Sequence, residues 1–168
     1  MLIREALKAD AEGKGLVHYQ SWIETYTGLM DPVFLSKRSL ERCVNIAREH
    51  PENTIVAEID RQIVGFACYS ETRDKDMSDA GEIQALYVLK KYQKQGIGVA
   101  LLKRCEQILK QHPKIMLYVL AGNKNAIGFY EYNGFRFDGI TKDMEVMPGI
   151  VLHEIRMVKD RANDKQEE

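Results

Sequence analysis

The chain has 168 residues, with 24 basic and 25 acidic side chains and a formal net charge of −1. Its length predicts one domain, and an apolar fraction of 45% is that of a globular chain rather than a disordered or fibrous one. The balanced charge argues against nucleic acid or an anionic membrane as a partner, because both attract a basic surface. No apolar run approaches the roughly 20 residues of a membrane span, and the N-terminus lacks the apolar core of a signal peptide. We therefore expect a cytoplasmic protein.

The cysteines and histidines do not form a recognisable reactive site in the sequence. Cys43, Cys68 and Cys105 lie far apart in apolar stretches, as buried thiols do. The four histidines are scattered, without the spacing of a metal-binding pair. No Gly-x-Ser-x-Gly sequence suggests a serine nucleophile. We therefore expect no metal.

The first half of the chain predicts a strand followed by helices. Leu2–Ala6 reads as the strand, and Asp10 is a good N-cap for a helix that runs to Tyr26, with Gly28 beyond its end. The predicted apolar face of this helix consists of Leu16, Tyr19, Ile23 and Tyr26. Another helical turn starts at Asp31-Pro32, and Leu40, Cys43, Val44 and Ala47 mark a second amphipathic helix that stops near His50-Pro51.

The second half alternates strands and helices. Asp60-Arg61 separates two β-branched or aromatic runs, Thr54–Ile59 and Gln62–Ser70, which predicts a hairpin. The predicted elements that follow are an exposed loop (Glu71–Ala80), a strand (Ile83–Leu89), a helix (Gly96–Gln111), a strand (Lys114–Leu120), a short helix (Ala126–Asn133) and two strands (Phe135–Ile140 and Ile150–Val158) joined by a polar loop.

The element order is therefore β-α-α-β-β-β-α-β-α-β-β. Antiparallel strands followed by a strand–helix–strand crossover predict an α/β fold, of the α+β kind with a mixed sheet and helices on its faces. We expect a single domain over residues 1–158. Residues 159–168 are mostly charged and have no apolar face, so they predict a disordered tail.

A glycine-bearing loop follows an apolar strand and opens a helix. The strand Glu82–Val88 leads to Gln93-Lys94-Gln95-Gly96-Ile97-Gly98. Backbone N–H groups at such a helix start bind anions, and a pyrophosphate is the natural ligand; the alternative is that the glycines merely permit a tight turn. A P-loop has Lys directly after its last glycine, where this chain has Val99. A dinucleotide-binding fingerprint needs a third glycine, where this chain has Leu101.

Gln-x-x-Gly-x-Gly after an apolar strand resembles the acyl-CoA signature of the GNAT superfamily of N-acetyltransferases. A second segment, Asn123 to Phe135, is similar to the family's Asn-x-x-Ala-x-x-Phe-Tyr-Glu-x-x-Gly-Phe. His18 to Gly28 is similar to a His-x-x-Ser-Trp-x-x-x-Tyr-x-Gly run in one bacterial branch of small-molecule acetyltransferases. The resemblance covers residues 2–158 and implies the GNAT fold.

The resemblance implies acetyl-CoA as co-substrate, bound where the fourth and fifth strands splay. The backbone of Leu86, Tyr87 and Val88 would pair with the pantetheine, and the Val88 N–H would polarise the thioester carbonyl. The pyrophosphate would be wrapped by Gln93, Lys94, Gln95, Gly96, Ile97, Gly98, Val99 and Ala100. Gln95 departs from the family, which usually has a basic residue there, and Lys94 compensates only in part.

For three further residues, the resemblance implies a catalytic or binding role, and each residue also has a purely structural alternative. Tyr130 corresponds to the tyrosine that contacts CoA and protonates its departing thiolate, and its alternative is packing. Asn123 corresponds to a pantetheine ligand, and its alternative is the N-cap of the following helix, unless Asn125 caps it. Glu82 corresponds to the base that takes the proton of the amine, and its alternative is a surface carboxylate.

The acceptor side carries weaker signals. Trp22 and Tyr26 are candidates for the wall of the acceptor pocket, and core packing is their alternative. The segments Glu24–Ser39 and Lys142–Gly149 are expected to set acceptor specificity. Tyr69, Glu71 and an acidic loop with Asp74, Asp76 and Asp79 could attract a cationic acceptor, or the loop is simply a solvated face.

The resulting hypothesis is an acetyl-CoA-dependent N-acetyltransferase. A primary amine of a small molecule or peptide would attack the thioester directly, without a covalent enzyme intermediate. The alternative is an acyl-CoA-binding sensor without catalysis. Homodimers are common in the family, and no patch in the sequence supports or opposes one here.

Overall fold

In a computed structural model that describes residues 1–161, the chain forms seven strands and five α-helices. The strands are β1 (Leu2–Glu5), β2 (Thr54–Ile59), β3 (Gln62–Glu71), β4 (Ala80–Val88), β5 (Lys114–Leu120), β6 (Arg136–Met147) and β7 (Ile150–Asp160). The helices are α1 (Ala11–Tyr26), α2 (Pro32–Ser36), α3 (Leu40–Glu49), α4 (Ile97–Ile108) and α5 (Lys124–Tyr132). The predicted α/β order is confirmed, and the helical turn predicted at Asp31-Pro32 forms the additional short helix α2.

The strands form one mixed sheet in the order β1-β2-β3-β4-β5-β7-β6. β4 and β5 are parallel and pair over Ala80–Glu82 and Lys114–Met116. The β1/β2, β2/β3, β5/β7 and β6/β7 pairs are antiparallel. This is the mixed sheet that the element order predicts.

The chain groups into two compact units, and the boundary between them falls within strand β4. The first unit contains Met1–Tyr69 and Ala85–Gln107, and the second contains Ser70–Gln84 and the described residues from Ile108 onward. The prediction of a single domain stays a prediction, and residues 162–168 of the expected tail lie outside the described part of the chain.

The first unit is built on the antiparallel strands β1, β2 and β3. The turn between β2 and β3 uses Asp60 and Arg61 with φ angles of 49° and 64°. Two consecutive left-handed residues match the right-handed twist of a two-residue hairpin, so the predicted turn is confirmed. Val17, Val56, Phe66 and Leu89 form a core cluster of this unit.

The buried face of α1 differs from the prediction. Leu16 is 45% exposed, whereas Lys14, Gly15 and Val17 around it are buried. The reason is a close approach to α3: a Cβ on Gly15 would lie 2.6 Å from the Val44 Cα. The small residue, rather than the apolar periodicity, decides which side of this helix is buried.

The second unit is built on β5, whose observed bounds are the predicted ones. β5 pairs along its whole length with β7, which extends two residues beyond its predicted end, to Asp160. Met77, in a 3₁₀ helix within the predicted exposed loop, is buried with Ala80 and Met116. The loop therefore contributes to the core.

The last hairpin is much longer than the sequence predicts. β6 continues to Met147, so most of the predicted polar loop is strand, with Lys142 opposite Glu154. Nearly every residue of β6 is exposed. A strand without a buried face lacks the alternation of apolar and polar residues that identifies a half-buried strand.

No helix in residues 1–161 is both long and apolar enough to span a membrane. Within the same residues, no group of three or more His, Cys, Asp or Glu side chains could hold a metal ion.

Candidate active site

The glycine-bearing loop between β4 and α4 has an unusual backbone. Lys94 and Gly96 both have left-handed conformations, with φ angles of 59° and 82°. In α4, the Ala100 N–H donates to the Gly96 carbonyl at 3.0 Å. The three N–H groups before Ala100 therefore precede the first intrahelical bond and have no partner within the helix. A Cβ on Gly96 would meet nothing within 4 Å, so the glycine serves the positive φ and not close packing.

The two glutamine side chains of this loop bind backbone carbonyls. Gln93 Nε2 donates to the Val88 carbonyl at 3.0 Å, and Gln95 Nε2 donates to the Lys91 carbonyl at 3.2 Å. Both amides therefore tie the loop to the residues that precede it. The family resemblance assigns these residues to pyrophosphate binding, and in the structure their side chains also brace the loop.

The end of β4 is held closely against β3. The Leu89 N–H donates to the Val64 carbonyl at 3.0 Å. A Cβ on Gly65 would lie 2.9 Å from the Tyr87 carbonyl oxygen, so the absence of a side chain at Gly65 permits the close approach. Val88 is buried. The strand end and the loop are thus fixed by contacts within the first unit.

Aromatic side chains connect α1 to this strand end. The Tyr26 and Tyr87 hydroxyl oxygens lie 3.3 Å apart, and the Trp22 and Tyr26 rings are 4.6 Å apart in an edge arrangement. The His18 ring centroid lies 5.6 Å from that of Tyr87. The structure therefore brings both candidate pocket-wall residues together with a strand residue assigned to the cofactor.

Arg38 belongs to this aromatic cluster, although no sequence signal singled it out. Its guanidinium carbon lies 3.7 Å from the centre of the Trp22 ring, and its NH1 lies 3.2 Å from His18 Nε2. Since a guanidinium only donates, His18 Nε2 is the acceptor and the ring proton sits on Nδ1. Burial and the positive charges of Arg38 and Lys14 lower the pKa of His18 to about 4, so the ring is neutral at pH 7.

Glu82 lies in the second unit, in the part of β4 that pairs with β5. It stands opposite Met116 and is partly buried. Burial, and then the negative charge of Asp74, raise the pKa of the Glu82 carboxyl, while Lys142 and Arg73 oppose the shift. A raised pKa brings a carboxylate closer to the range in which it exchanges protons at neutral pH.

Two carboxylates of the acidic loop, those of Asp74 and Asp76, pair with a buried arginine. Arg156 is 3% exposed and donates to Asp74 at 3.0 Å, Asp76 at 2.7 Å and Asp138 at 2.8 Å. The Tyr118 hydroxyl also donates to Asp74, at 2.5 Å, and burial together with this bond raises the pKa of Tyr118 to about 12. Asp74 and Asp76 therefore have an internal cation, which weakens their case as attractors of a cationic acceptor.

Asn123 and Tyr130 have the structural roles that were their alternatives. The Asn123 side chain caps α5, accepting from the Ala126 N–H at 3.1 Å, so Asn123 and not Asn125 is the cap. Tyr130 is buried, and its ring lies 5.2 Å from that of Phe129 and 5.7 Å from that of Phe135. The second unit thus contains Glu82, Asn123 and Tyr130, and the other predicted site residues belong to the first.

Comparisons with known proteins give a consistent family. Residues 17–135 match the model of the Acetyltransferase (GNAT) family. The probable N-acetyltransferase Rv2775 of Mycobacterium tuberculosis is 29% identical over 157 residues, covering 88% of this chain and 87% of the relative.

Solved structures share the fold. The PaiA N-acetyltransferase of Thermoplasma acidophilum, in complex with coenzyme A, has a TM-score of 0.70 and 24% identity, covering 95% of this chain and 98% of that one. The structure of YncA from Salmonella typhimurium, with its cofactor acetyl-CoA, has a TM-score of 0.71 and 17% identity, covering 95% of this chain and 93% of that one.

Proposed function

The chain belongs to the GNAT family of acetyltransferases, and we propose that it transfers the acetyl group of acetyl-CoA directly to a primary amine of a small molecule or peptide. The observation that carries the proposal is the loop from Gln93 to Gly98, whose left-handed residues lead into N–H groups at the start of α4 that have no partner within the helix. Such a helix start accommodates the negative charge of a pyrophosphate without a basic surface.

In this proposal the end of β4 receives the reactive arm of the cofactor. The backbone of Leu86, Tyr87 and Val88 pairs with the amide-bearing pantetheine, and the Val88 N–H stabilises the developing oxyanion. Because the Asn123 Oδ1 already accepts the Ala126 N–H, the side chain contributes to pantetheine binding through its Nδ2 hydrogens.

The chemical step needs two proton transfers. The amine nitrogen attacks the thioester carbonyl carbon, the C–S bond breaks, and the CoA sulfur leaves as a thiolate that takes the proton of Tyr130. Glu82 takes the proton of the amine, directly or through a water molecule. Burial raises the pKa of the Cys105 thiol to about 12, so this cysteine is not a thiolate at neutral pH and is a poor candidate for carrying an acetyl group.

The proposal is tested by mixing the protein with acetyl-CoA and a panel of amines. The panel contains polyamines, amino acids, aminoglycosides and peptides with free N-termini, and free CoA thiol is measured. We expect release of CoA that depends on the amine, with an N-acetyl product identified by mass spectrometry. Clear binding of acetyl-CoA without turnover on any amine would instead support a sensor.

Replacing Glu82 by glutamine tests the base. We expect kcat/KM to fall by about 100-fold near neutral pH, as for the loss of a general base. The sign follows from the raised pKa: a base works only when deprotonated, so wild-type activity falls as the pH drops through that pKa. Below it the base is protonated, so the wild type and Glu82→Gln converge, and the measurement is kcat/KM against pH.

Glu154→Gln is the matched control for this experiment. Glu154 lies in the same unit, and burial raises the pKa of its carboxyl as it does that of Glu82, with Lys142 opposing the shift in both. We expect Glu154→Gln to keep the wild-type pH profile. An equal loss in the two variants would assign the effect to altered charge in the unit and remove Glu82 as the base.

A further inference from the structure

Among the residues that the structure describes, Arg38 has no anionic partner. Within residues 1–161 its guanidinium contacts the Trp22 ring and His18 Nε2 and forms no ion pair with a carboxylate. Four of its five N–H donors therefore lack a protein acceptor among the described residues. Arg38 is partly exposed, so a ligand can reach it.

The guanidinium is held in one orientation. The guanidinium carbon lies over the Trp22 ring at 3.7 Å, and the hydrogen bond to His18 at 3.2 Å restrains the guanidinium from a second side. Because His18 is a neutral acceptor, it positions Arg38 without cancelling its charge. A planar fork that is ordered in advance is suited to a carboxylate, which it binds through two parallel hydrogen bonds.

Arg38 also lies close to the strand that the proposed function assigns to the thioester. His18 contacts both Arg38 and the Tyr87 ring, and Trp22 contacts both Arg38 and Tyr26. A molecule bound at Arg38 would have aromatic neighbours, and the His18 ring would separate Arg38 from Tyr87. By contrast, Asp74 and Asp76, which could have attracted a polyamine, are paired with Arg156.

We propose that the acceptor is an amine that also carries a carboxylate, which Arg38 binds beside the aromatic rings of Trp22 and Tyr26. The inference rests on the proposed acetyl transfer and names its substrate class. His18 is the positioning residue for Arg38, and the aromatic rings favour an acceptor with an apolar side chain.

The test compares acids with their uncharged amides. We would measure kcat/KM for L-phenylalanine, L-phenylalaninamide, L-leucine and L-leucinamide with the wild type, Arg38→Gln and Arg38→Lys. We expect Arg38→Gln to lower kcat/KM about 10- to 100-fold for the acids, as for the loss of charged hydrogen bonds, and to leave the amides unchanged. Arg38→Lys should restore part of the loss, since it keeps the charge but not the fork. Comparing each substrate across variants cancels the different reactivity of the amines.

Arg42→Gln is the control, because Arg42 is an exposed residue of α3 close in sequence to Arg38. An equal loss for acids and amides in Arg38→Gln, or a wild-type preference for spermidine over every acid, would overturn the inference. If no amine is acetylated, the proposed function fails separately. In that case calorimetry with N-acetyl-L-phenylalanine and its amide still tests Arg38, since the acid should bind more tightly to the wild type but not to Arg38→Gln, and equal binding would overturn the site.

Discussion

Replacing Tyr130 by phenylalanine is expected to lower kcat by about 10²- to 10⁴-fold, a far larger effect than that on the affinity for acetyl-CoA, if the phenol protonates the CoA thiolate. The substitution removes one oxygen and keeps the ring. The edge contacts with Phe129 and Phe135 therefore survive, and the protein should remain folded. Steady-state kinetics with an amine identified in the panel, together with acetyl-CoA binding by calorimetry, separate the two effects.

Tyr132 provides a matched control on the same helix. Its side chain is 88% exposed, whereas Tyr130 is 8% exposed. Tyr132→Phe removes the same atom from α5 and is expected to keep both kcat and Kd. Unchanged turnover in Tyr130→Phe would eliminate the general-acid role and leave Tyr130 as a packing residue.

Replacing Arg156 by leucine is expected to lower the free energy of unfolding by about 1–3 kcal/mol, because three carboxylates that are only partly buried lose their shared donor. Without the guanidinium, Asp74, Asp76 and Asp138 lose their shared donor and repel one another. Arg156→Lys keeps the charge but loses the fork geometry, so its loss should be smaller. Urea unfolding of the three proteins at pH 7 measures the difference.

The same experiment at low pH checks the cause. Hydrogen bonding to Arg156 is the main reason that the pKa of Asp76 is lowered in the folded protein. A carboxyl with a lowered pKa stabilises the fold above its unfolded value of about 3.9, and this contribution disappears as the pH falls through the lower, folded value. The gap between the wild type and Arg156→Leu should therefore narrow below about pH 4. A gap that is independent of pH would point to lost packing instead of lost charge pairing.

The sequence predicted correctly the elements whose structure depends on residues within a few positions along the chain. The bounds of β5 were right because it is a short, buried apolar run. The helical turn at Asp31-Pro32, where the Asp31 side chain accepts from the Val33 N–H, and the Asp60-Arg61 turn depend on side chains and backbone angles within four residues. Where the structure follows from neighbours along the chain, the residues alone were sufficient.

Long-range contacts account for what the sequence missed. Arg156 meets Asp74 and Asp76 across about eighty positions, and no pattern marks such a pairing in advance. Arg38 becomes a candidate substrate-binding residue only when folding places it over the Trp22 ring. The exposure of Leu16 likewise depends on α3, which the periodicity of α1 cannot reveal.

The hydrogen bonds at the end of β4 have a consequence for the entropy of cofactor binding. The Gln93 amide donates to the Val88 carbonyl, and the Leu89 N–H donates to the Val64 carbonyl, so the protein's own contacts order this strand end. A receptor segment that is already ordered loses little conformational freedom on association, so more of the interaction free energy remains as affinity. In the proposed function, a chain with a net charge of −1 therefore binds a polyanion at an ordered loop, although Gln95 provides no basic side chain there.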